Sequence, residues 1–338
     1  MNHLLWLAPA IVAIAFMLTL ALRRYALSRS LIDIPNSRSS HSVPTPRGGG
    51  VAIVVSFLIA LTALFFIGAV SKPIMLALIG GGLAVAVLGF LDDHGHIAAR
   101  WRLLGHFSAA LWALFWIGGL PVISLATVTL DLGWLGHIVA VFYLVWVLNL
   151  YNFMDGIDGL ASVQAMCVCL GACLVYALGG HQALIWVPLL LSMAVLGFLY
   201  WNFPIARIFM GDAGSGFLGF VLGVLSLTAA WQDPRLLWVW LILLGVFIVD
   251  ATFTLIRRLV RGDKVYEAHR SHAYQYASRK VGGHFPVTLS VLGINLLWLT
   301  PIAIGVGVLG LDGVLGLAIA YAPLMVLAIK YKAGELET

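Results

Sequence analysis

The stretch from Val141 to Leu178, VFYLVWVLNLYNFMDGIDGLASVQAMCVCLGACLVYAL, sets two uncharged apolar runs on either side of a short polar knot. Within the knot, Asn149, Asn152, Asp155 and Asp158 recur every third residue, with Gly156 and Gly159 among them. These runs belong to apolar stretches at about 135–152 and 160–178, close to the about 20 residues a membrane span needs to cross the hydrocarbon core. On a helix, residues three apart are neighbours on one face. The four polar side chains are therefore expected to form one stripe, drifting slowly around the axis, with the glycines permitting a helix break.

The rest of the chain carries the same signature. Its 338 residues are 62% hydrophobic and 10% charged, with a mean hydropathy of +1.03. A soluble domain holds about 25% charged residues, so a chain this apolar cannot present a wettable surface. The fold class expected is an all-α polytopic integral membrane protein, one domain over residues 1–338. About eleven spans are expected, at roughly 4–22, 48–69, 73–91, 103–119, 135–152, 160–178, 184–200, 213–230, 236–256, 286–308 and 311–330. The segment 119–134 alternates well enough for a short β-hairpin. Cys167, Cys169 and Cys173 share one apolar run and match neither a zinc nor a disulfide spacing, so they read as small apolar side chains.

Basic residues set the expected orientation. The opening MNHLLWLAPAIVAIAFMLTLALRR has its arginines after the apolar run, the reverse of a secretory signal, and reads as a first span with the N-terminus outside. The inside segments are then about 23–47, 92–102, 153–159, 201–212, 257–285 and 330–338. Only Lys72 and Arg235 of the nineteen Lys and Arg lie outside these, which leaves seventeen on one side. That places the N-terminus in the periplasm and the C-terminus in the cytoplasm. It also accounts for the formal charge of +5 without a nucleic-acid partner. Asp92, Asp93, Asp155, Asp158 and Asp212 fall on the same inner face, each at or just past a span end. Acids contribute little to topology, so this clustering needs another cause.

Four further motifs point to phosphate chemistry. In FLDDHGHIAARWRLLGHF, adjacent Asp92 and Asp93 repel unless a cation sits between them, and Mg²⁺ is held by one or two carboxylates plus substrate phosphates. Arg100 and Arg102 follow as candidate grips on phosphate oxygens. His94 and His96 offer a transition-metal chelate, which carboxylates and arginines suit less well than a hard cation. In FMGDAGSGFLGF, Gly211, Asp212 and Ser215 stand at a helix start, where backbone N–H groups favour an anion. Gly214, Gly216 and Gly219 spell G-x-G-x-x-G without the βαβ context of a dinucleotide fold, and small-residue helix packing is the plainer reading. In RRLVRGDKVYEAHRSHAYQYASRK, His269, Arg270 and His272 with nearby tyrosines suit a pyrophosphate and a sugar. In DIPNSRSSHSVPTPRGGGVAI, Arg38, His41 and Arg47 are candidate anion contacts. Asp250, inside the ninth expected span, is open to either a structural pairing or a substrate contact.

Together these residues resemble the polyprenyl-phosphate N-acetylhexosamine-1-phosphate transferases, glycosyltransferase family 4. That family includes the phospho-MurNAc-pentapeptide translocase of peptidoglycan synthesis and the GlcNAc-1-phosphate transferases that start O-antigen and teichoic acid. The resemblance rests on Asp92-Asp93, NLYNFMDGIDGL, GDAGS and AHRSHAYQ, in order, with the DIPNSRSSHSVPTPRGGG loop besides. It implies transfer of sugar-1-phosphate from a UDP-N-acetylhexosamine to undecaprenyl phosphate, with UMP released. It implies Mg²⁺, with Mn²⁺ as a substitute, at a site on the cytoplasmic face of the bacterial inner membrane. By carry-over, Asp212 is a metal ligand and Asp92 or Asp93 assists the metal or acts as base. Asn149, Asn152, Asp155 and Asp158 would contact the nucleotide and organise the metal site. His41, Arg47, Arg100, Arg102, Gly211, Ser215, His269, Arg270 and His272 would bind substrate. The HRSHAYQ loop looks more like O-antigen initiators that use 6-deoxy sugars such as FucNAc or QuiNAc, with GlcNAc as the alternative. A homodimer stays open. A transporter of an anionic lipid or nucleotide-sugar, or a membrane phosphatase, would compete. A one-sided acid cluster without repeats argues against the former, and the amide stripe against the latter.

Overall fold

In a computed structural model the protein is a bundle of helices; residues 2–29, 31–35, 43–95, 97–125, 128–263 and 269–336 are described. Helix α1 (Asn2–Ser28) leads into a short antiparallel pair, β1 (Ile32–Asp33) with β2 (Thr45–Pro46), and then into α2 (Gly50–Phe66). Helices α3 (Lys72–Leu76) and α4 (Gly82–His94) join through a π-helical turn at Ala77–Gly81 into one rod. There the Trp112 indole donates to the Leu76 carbonyl at 2.8 Å. A side chain from a neighbouring helix thus satisfies a carbonyl where the helical ladder changes its pattern. Helix α5 (Ala99–Ile117) returns to the expected hairpin, β3 (Ile123–Leu125) with β4 (Val128–Leu130), in which Ile123 faces Leu130. The Trp238 indole ties Ser124 of β3 to the bundle at 2.8 Å.

The second half continues with α6 (Gly133–Phe153), α7 (Leu160–Gly179), α8 (Trp186–Asn202) and α9 (Asp212–Gln232). Then come α10 (Arg235–Leu243), α11 (Gly245–Arg261), the short α12 (Ala273–Val281), α13 (Phe285–Ile294), α14 (Thr300–Gly307) and α15 (Gly313–Lys330). Helix α9 is the axis of the bundle, enclosed by α2, α4 and α6. Small residues allow that enclosure. Gly214 meets Gly50 of α2 with only backbone between them, and a Cβ on Gly219 would lie 2.6 Å from the Tyr151 Cβ of α6. Packing without a hydrophobic driving force between helices relies on such close approach. The glycines after Asp212 thus serve helix packing, as the absence of a dinucleotide context suggested.

The expected number of spans is met in part, and one expectation about their shape is corrected. Among the described residues eight helices are long and apolar enough to cross a membrane, or nine if α10 and α11 count as one. Every one of the eleven expected stretches is helical, but α2 has only 17 residues and α5 opens with Arg100 and Arg102 in its first turn. The expected straight span 236–256 is broken at Leu244, where α10 and α11 meet at 73°. Gln164 of α7 donates to the Leu243 carbonyl at 3.0 Å and accepts from Asn295 at 2.8 Å. A break in an apolar setting needs such a side chain, because an unmatched carbonyl there costs several kcal/mol.

Candidate active site

Consecutive residues on a helix point about 100° apart, so the paired acids at the end of α4 part company. Asp93 turns inward. Its carboxylate accepts the backbone N–H of Asp212 at 3.1 Å and of Ala213 at 3.3 Å. It thereby occupies the start of α9, where unsatisfied N–H groups and the helix dipole favour an anion. Gly211, at φ +78°, makes room for it: a Cβ there would stand 2.5 Å from Asp93 Oδ2. Arg47 donates to the Asp93 backbone carbonyl. Asp92 turns the other way, accepting from the Ile97 N–H at 2.8 Å and pairing with Arg102. The same Arg102 nitrogen reaches Asp212 Oδ2 at 3.4 Å, so one guanidinium bridges two acids.

The polar knot follows its expected spacing only as far as Phe153, where α6 ends. Asn149 folds back to donate to the Val145 carbonyl at 2.7 Å, while Asn152 faces the acids. Asp155 and Asp158 lie past the helix end, so the single helical stripe does not exist. The turn at 154–159 sends the two acids in different directions. Asp155 points to Asp93 and Asp212; its N–H donates to the Asn152 carbonyl at 3.2 Å, and its carboxylate makes no hydrogen bond or ion pair among the described residues. Burial, and then the carboxylates of Asp212, Asp93 and Asp158, push its pKa up to about 7. Asp158 turns away to His284, 3.2 Å from its Nδ1, and accepts the Ala206 N–H at 3.1 Å. It joins the knot to the 203–211 connection and to α13.

These elements enclose a cleft of about 240 Å³. Arg47, Asp93, Asn152, Asp155, Gly211, Asp212 and Ser215 line it. Asp33, Asn202 and Gln275 join them from other elements. Nothing local in the sequence marks Asp33 or Asn202. Asp92 and Arg102 sit just behind, around a much smaller void shared with Asn152, Asp212 and the buried His106. In the sequence His106 reads only as part of the expected span 103–119. Its Nδ1 has no hydrogen-bond partner among the described residues. His284, which holds Asp158, was likewise missed, since it lies far down the chain beside a span start.

Other expected contacts lie elsewhere. Arg100 is exposed, with its guanidinium 5.7 Å from the Trp101 ring, and is not on the cleft. His272 is buried, its Nδ1 3.2 Å from Asp250 Oδ1. Asp250 also accepts the N–H groups of Ala273 and Tyr274, each at 3.0 Å, so its pairing is structural. His269 is partly buried, its Nδ1 2.9 Å from the Ser271 hydroxyl. Burial, then His272 and Arg258 nearby, lower its pKa to about 3, so it is neutral at pH 7. Arg270 is partly buried beside it and is not among the residues lining the cleft. His41, Arg38 and His96 fall outside the described residues.

The cleft suits a hard divalent cation better than a softer metal. Among the described residues no three His, Cys, Asp or Glu side chains converge as a ready cage. Mg²⁺ asks for less, one or two carboxylates with substrate phosphates completing its shell. The Asp155 carboxylate, without a partner among the described residues and beside Asp212 on the cleft, offers that arrangement, with oxygen ligands only.

Comparison with known proteins gives a consistent picture. The glycosyl transferase family 4 profile matches residues 75–230. A Bacillus subtilis protein described as a probable undecaprenyl-phosphate N-acetylglucosaminyl 1-phosphate transferase is 31% identical over 303 residues, covering 84% of this chain and 83% of its own. The undecaprenyl-phosphate alpha-N-acetylglucosaminyl 1-phosphate transferase of Thermotoga maritima is 29% identical over 273 residues, 80% of each chain. A phospho-N-acetylmuramoyl-pentapeptide-transferase from Moorella thermoacetica is 34% identical over 197 residues, 54% of this chain and 61% of its own. The profile covers Asp92, Asp93, the polar knot and Asp212.

Proposed function

The chain belongs to glycosyl transferase family 4 and is a multi-pass membrane phosphoglycosyltransferase, and from that premise we propose its reaction. It transfers N-acetylhexosamine-1-phosphate from a UDP-sugar to undecaprenyl phosphate. The products are undecaprenyl-pyrophosphate-sugar and UMP, the first step of an O-antigen or related envelope glycan. The observation that carries this reading is one cleft faced by Asp155, Asp212, Asn152 and Arg47 at the end of a greasy bundle. A charged donor meets a membrane-held acceptor there. The basic-residue asymmetry supports placing the cleft on the cytoplasmic side of the inner membrane, with eleven crossings and the N-terminus outside.

The acceptor phosphate is already anionic near pH 7, so its activation demands little. The chain's task is alignment and charge neutralisation. Arg47 and Arg102 flank the acids and would steer the two phosphate-bearing substrates together. Asp155 and Asp212 would hold Mg²⁺, which when bound neutralises charge gathering on the diphosphate oxygens. Asp93 keeps the start of α9 in place beneath them. Asn152, with both donor and acceptor groups, would orient the donor.

Two donor readings have separate support. The names of the Bacillus and Thermotoga relatives favour GlcNAc. The HRSHAYQ loop, which carries Gln275 to the cleft, favours a 6-deoxy sugar such as FucNAc or QuiNAc. The deciding experiment is radiolabel transfer by purified protein with Mg²⁺ and undecaprenyl phosphate, offered UDP-GlcNAc, UDP-FucNAc and UDP-QuiNAc. Label reaching lipid from none of them, or UMP released without lipid, would overturn the proposal.

A further inference from the structure

Asp250 is a buried acid in the second turn of α11 and is not among the residues lining the cleft. Its contacts converge at the start of α12. Oδ1 lies 3.2 Å from His272 Nδ1 and accepts the Ala273 N–H at 3.0 Å, and Oδ2 accepts the Tyr274 N–H at 3.0 Å. The Thr254 hydroxyl adds a donor at 3.2 Å from within α11. A carboxylate has two acceptor oxygens and suits four donors; an amide has one. The charge also sits at the N-terminal end of α12, where the exposed N–H groups favour it.

From α12 the contacts run on to the catalytic turn. The Tyr274 hydroxyl donates to the Phe153 carbonyl at 3.1 Å, the last residue of α6. Gly156 packs against the same ring so closely that a Cβ would meet its hydroxyl. The His272 ring stacks on Tyr274 with 5.7 Å between centroids, and on Phe153 at 6.5 Å. Asn152 and Asp155 are the immediate neighbours of the two braced residues. Gln275, whose Oε1 accepts the His272 N–H at 3.2 Å, reaches the cleft itself.

We infer that Asp250 is a positioning residue for the transfer. Through His272 and Tyr274 it fixes the turn Asn152–Gly156 and so holds Asn152 and Asp155 at the cleft, without touching either substrate. This rests on the cleft being the site of the proposed reaction. A displacement of about 1 Å in such a turn costs about 100-fold in rate, whereas a purely structural role would change only the amount of folded protein.

The test uses the full-length protein in detergent with Asp250→Asn, Tyr274→Phe and the double variant, and Asp212→Asn as a reference. Transfer per folded molecule, donor and acceptor KM, thermal melting and UMP affinity by calorimetry are measured. Tyr274→Phe keeps the ring and loses one hydrogen bond. Its kcat is expected to fall about 10-fold with acceptor KM and melting temperature little changed. Asp250→Asn is expected to fall at least as far, and the double variant no further than the worse single one, since both act through one path. Multiplying effects, or normal kcat per folded molecule in Tyr274→Phe and Asp250→Asn, would overturn the inference. If Asp250→Asn does not fold, Tyr274→Phe alone decides. Full transfer by Asp212→Asn would instead remove the cleft reading, and the two failures are told apart by which variant keeps activity.

Discussion

Asp93 Oδ1 accepts the backbone N–H of Asp212 at 3.1 Å, so one acid of the site holds the helix start from which another projects. The two carboxylates are therefore separable by mutation. Asp93→Ala strips two N–H groups of a charged acceptor and leaves them buried, at about 2–4 kcal/mol. It should lower the melting temperature and activity together. Asp212→Asn keeps the α9 start and should lose transfer by about 100-fold or more at nearly unchanged stability. Melting curves beside transfer assays check both.

Gly211 is the hinge of the same contact. Its backbone, φ +78° and ψ 170°, lies in a region reserved for glycine, and a Cβ would press on Asp93. Gly211→Ala should cost about 1–3 kcal/mol and most of the activity. Gly180→Ala is the control: φ is +82° but the space around it is open. It should cost about 1 kcal/mol and leave transfer intact. Equal activities in the two variants would contradict this.

Arg100 and Arg102 look alike in sequence and differ in place. Arg102 bridges Asp92 and Asp212, and removing it leaves two partly buried acids facing each other. Arg102→Ala should cut kcat/KM for the donor by about 100-fold. Arg100→Ala should stay within about 2-fold. Steady-state kinetics with varied donor separates them.

Asp155 gives a pH signature. Its pKa is pushed up to about 7 against 3.8 in an ordinary carboxyl. Between these values the folded protein keeps a proton that the unfolded chain has lost, so this group's contribution to stability falls as pH rises through about 7. Without Mg²⁺, Asp155→Asn should be more stable than the wild type at pH 8, by up to about 4 kcal/mol, and match it near pH 4. Burial and the Asp93 carboxylate push the pKa of Asp212 up to about 7 as well, so adding Mg²⁺ near pH 7 should release fewer protons from the variant than from the wild type, read by an indicator dye in weak buffer.

The proposed chemistry breaks one pyrophosphate link and forms another, so its equilibrium should lie near unity. Added UMP should return label from lipid to UDP-sugar at a rate comparable to the forward reaction. Lipid product that stays unchanged in excess UMP would contradict this.

The polar knot shows how far the sequence could be read. Its three-residue spacing marked four residues, of which Asn152 and Asp155 line the cleft and Asn149 and Asp158 do not, and it gave the wrong geometry. Helical periodicity holds only while the helix lasts, and α6 ends at Phe153. Asn152 and Asp155 then reach the cleft, while Asp158 leaves it for His284, 126 positions away in sequence. His106, Asp33 and Asn202 carried no local signal, because what places them is packing between elements distant in sequence. Asp250 was visible as an oddity, a charge inside an apolar run, but its partners His272 and Tyr274 were not.

The sequence by itself determined the membrane character, the helical make-up, the hairpin and the residue set of the family, because hydropathy, length and motif order are local properties of the chain. The tertiary structure alone decided which acid of each pair faces the cleft, that Arg102 and not Arg100 joins them, and that the span at Leu244 is broken. Those outcomes depend on which backbone N–H groups, guanidinium groups and rings from other helices arrive within about 3 Å, and no local pattern records that meeting.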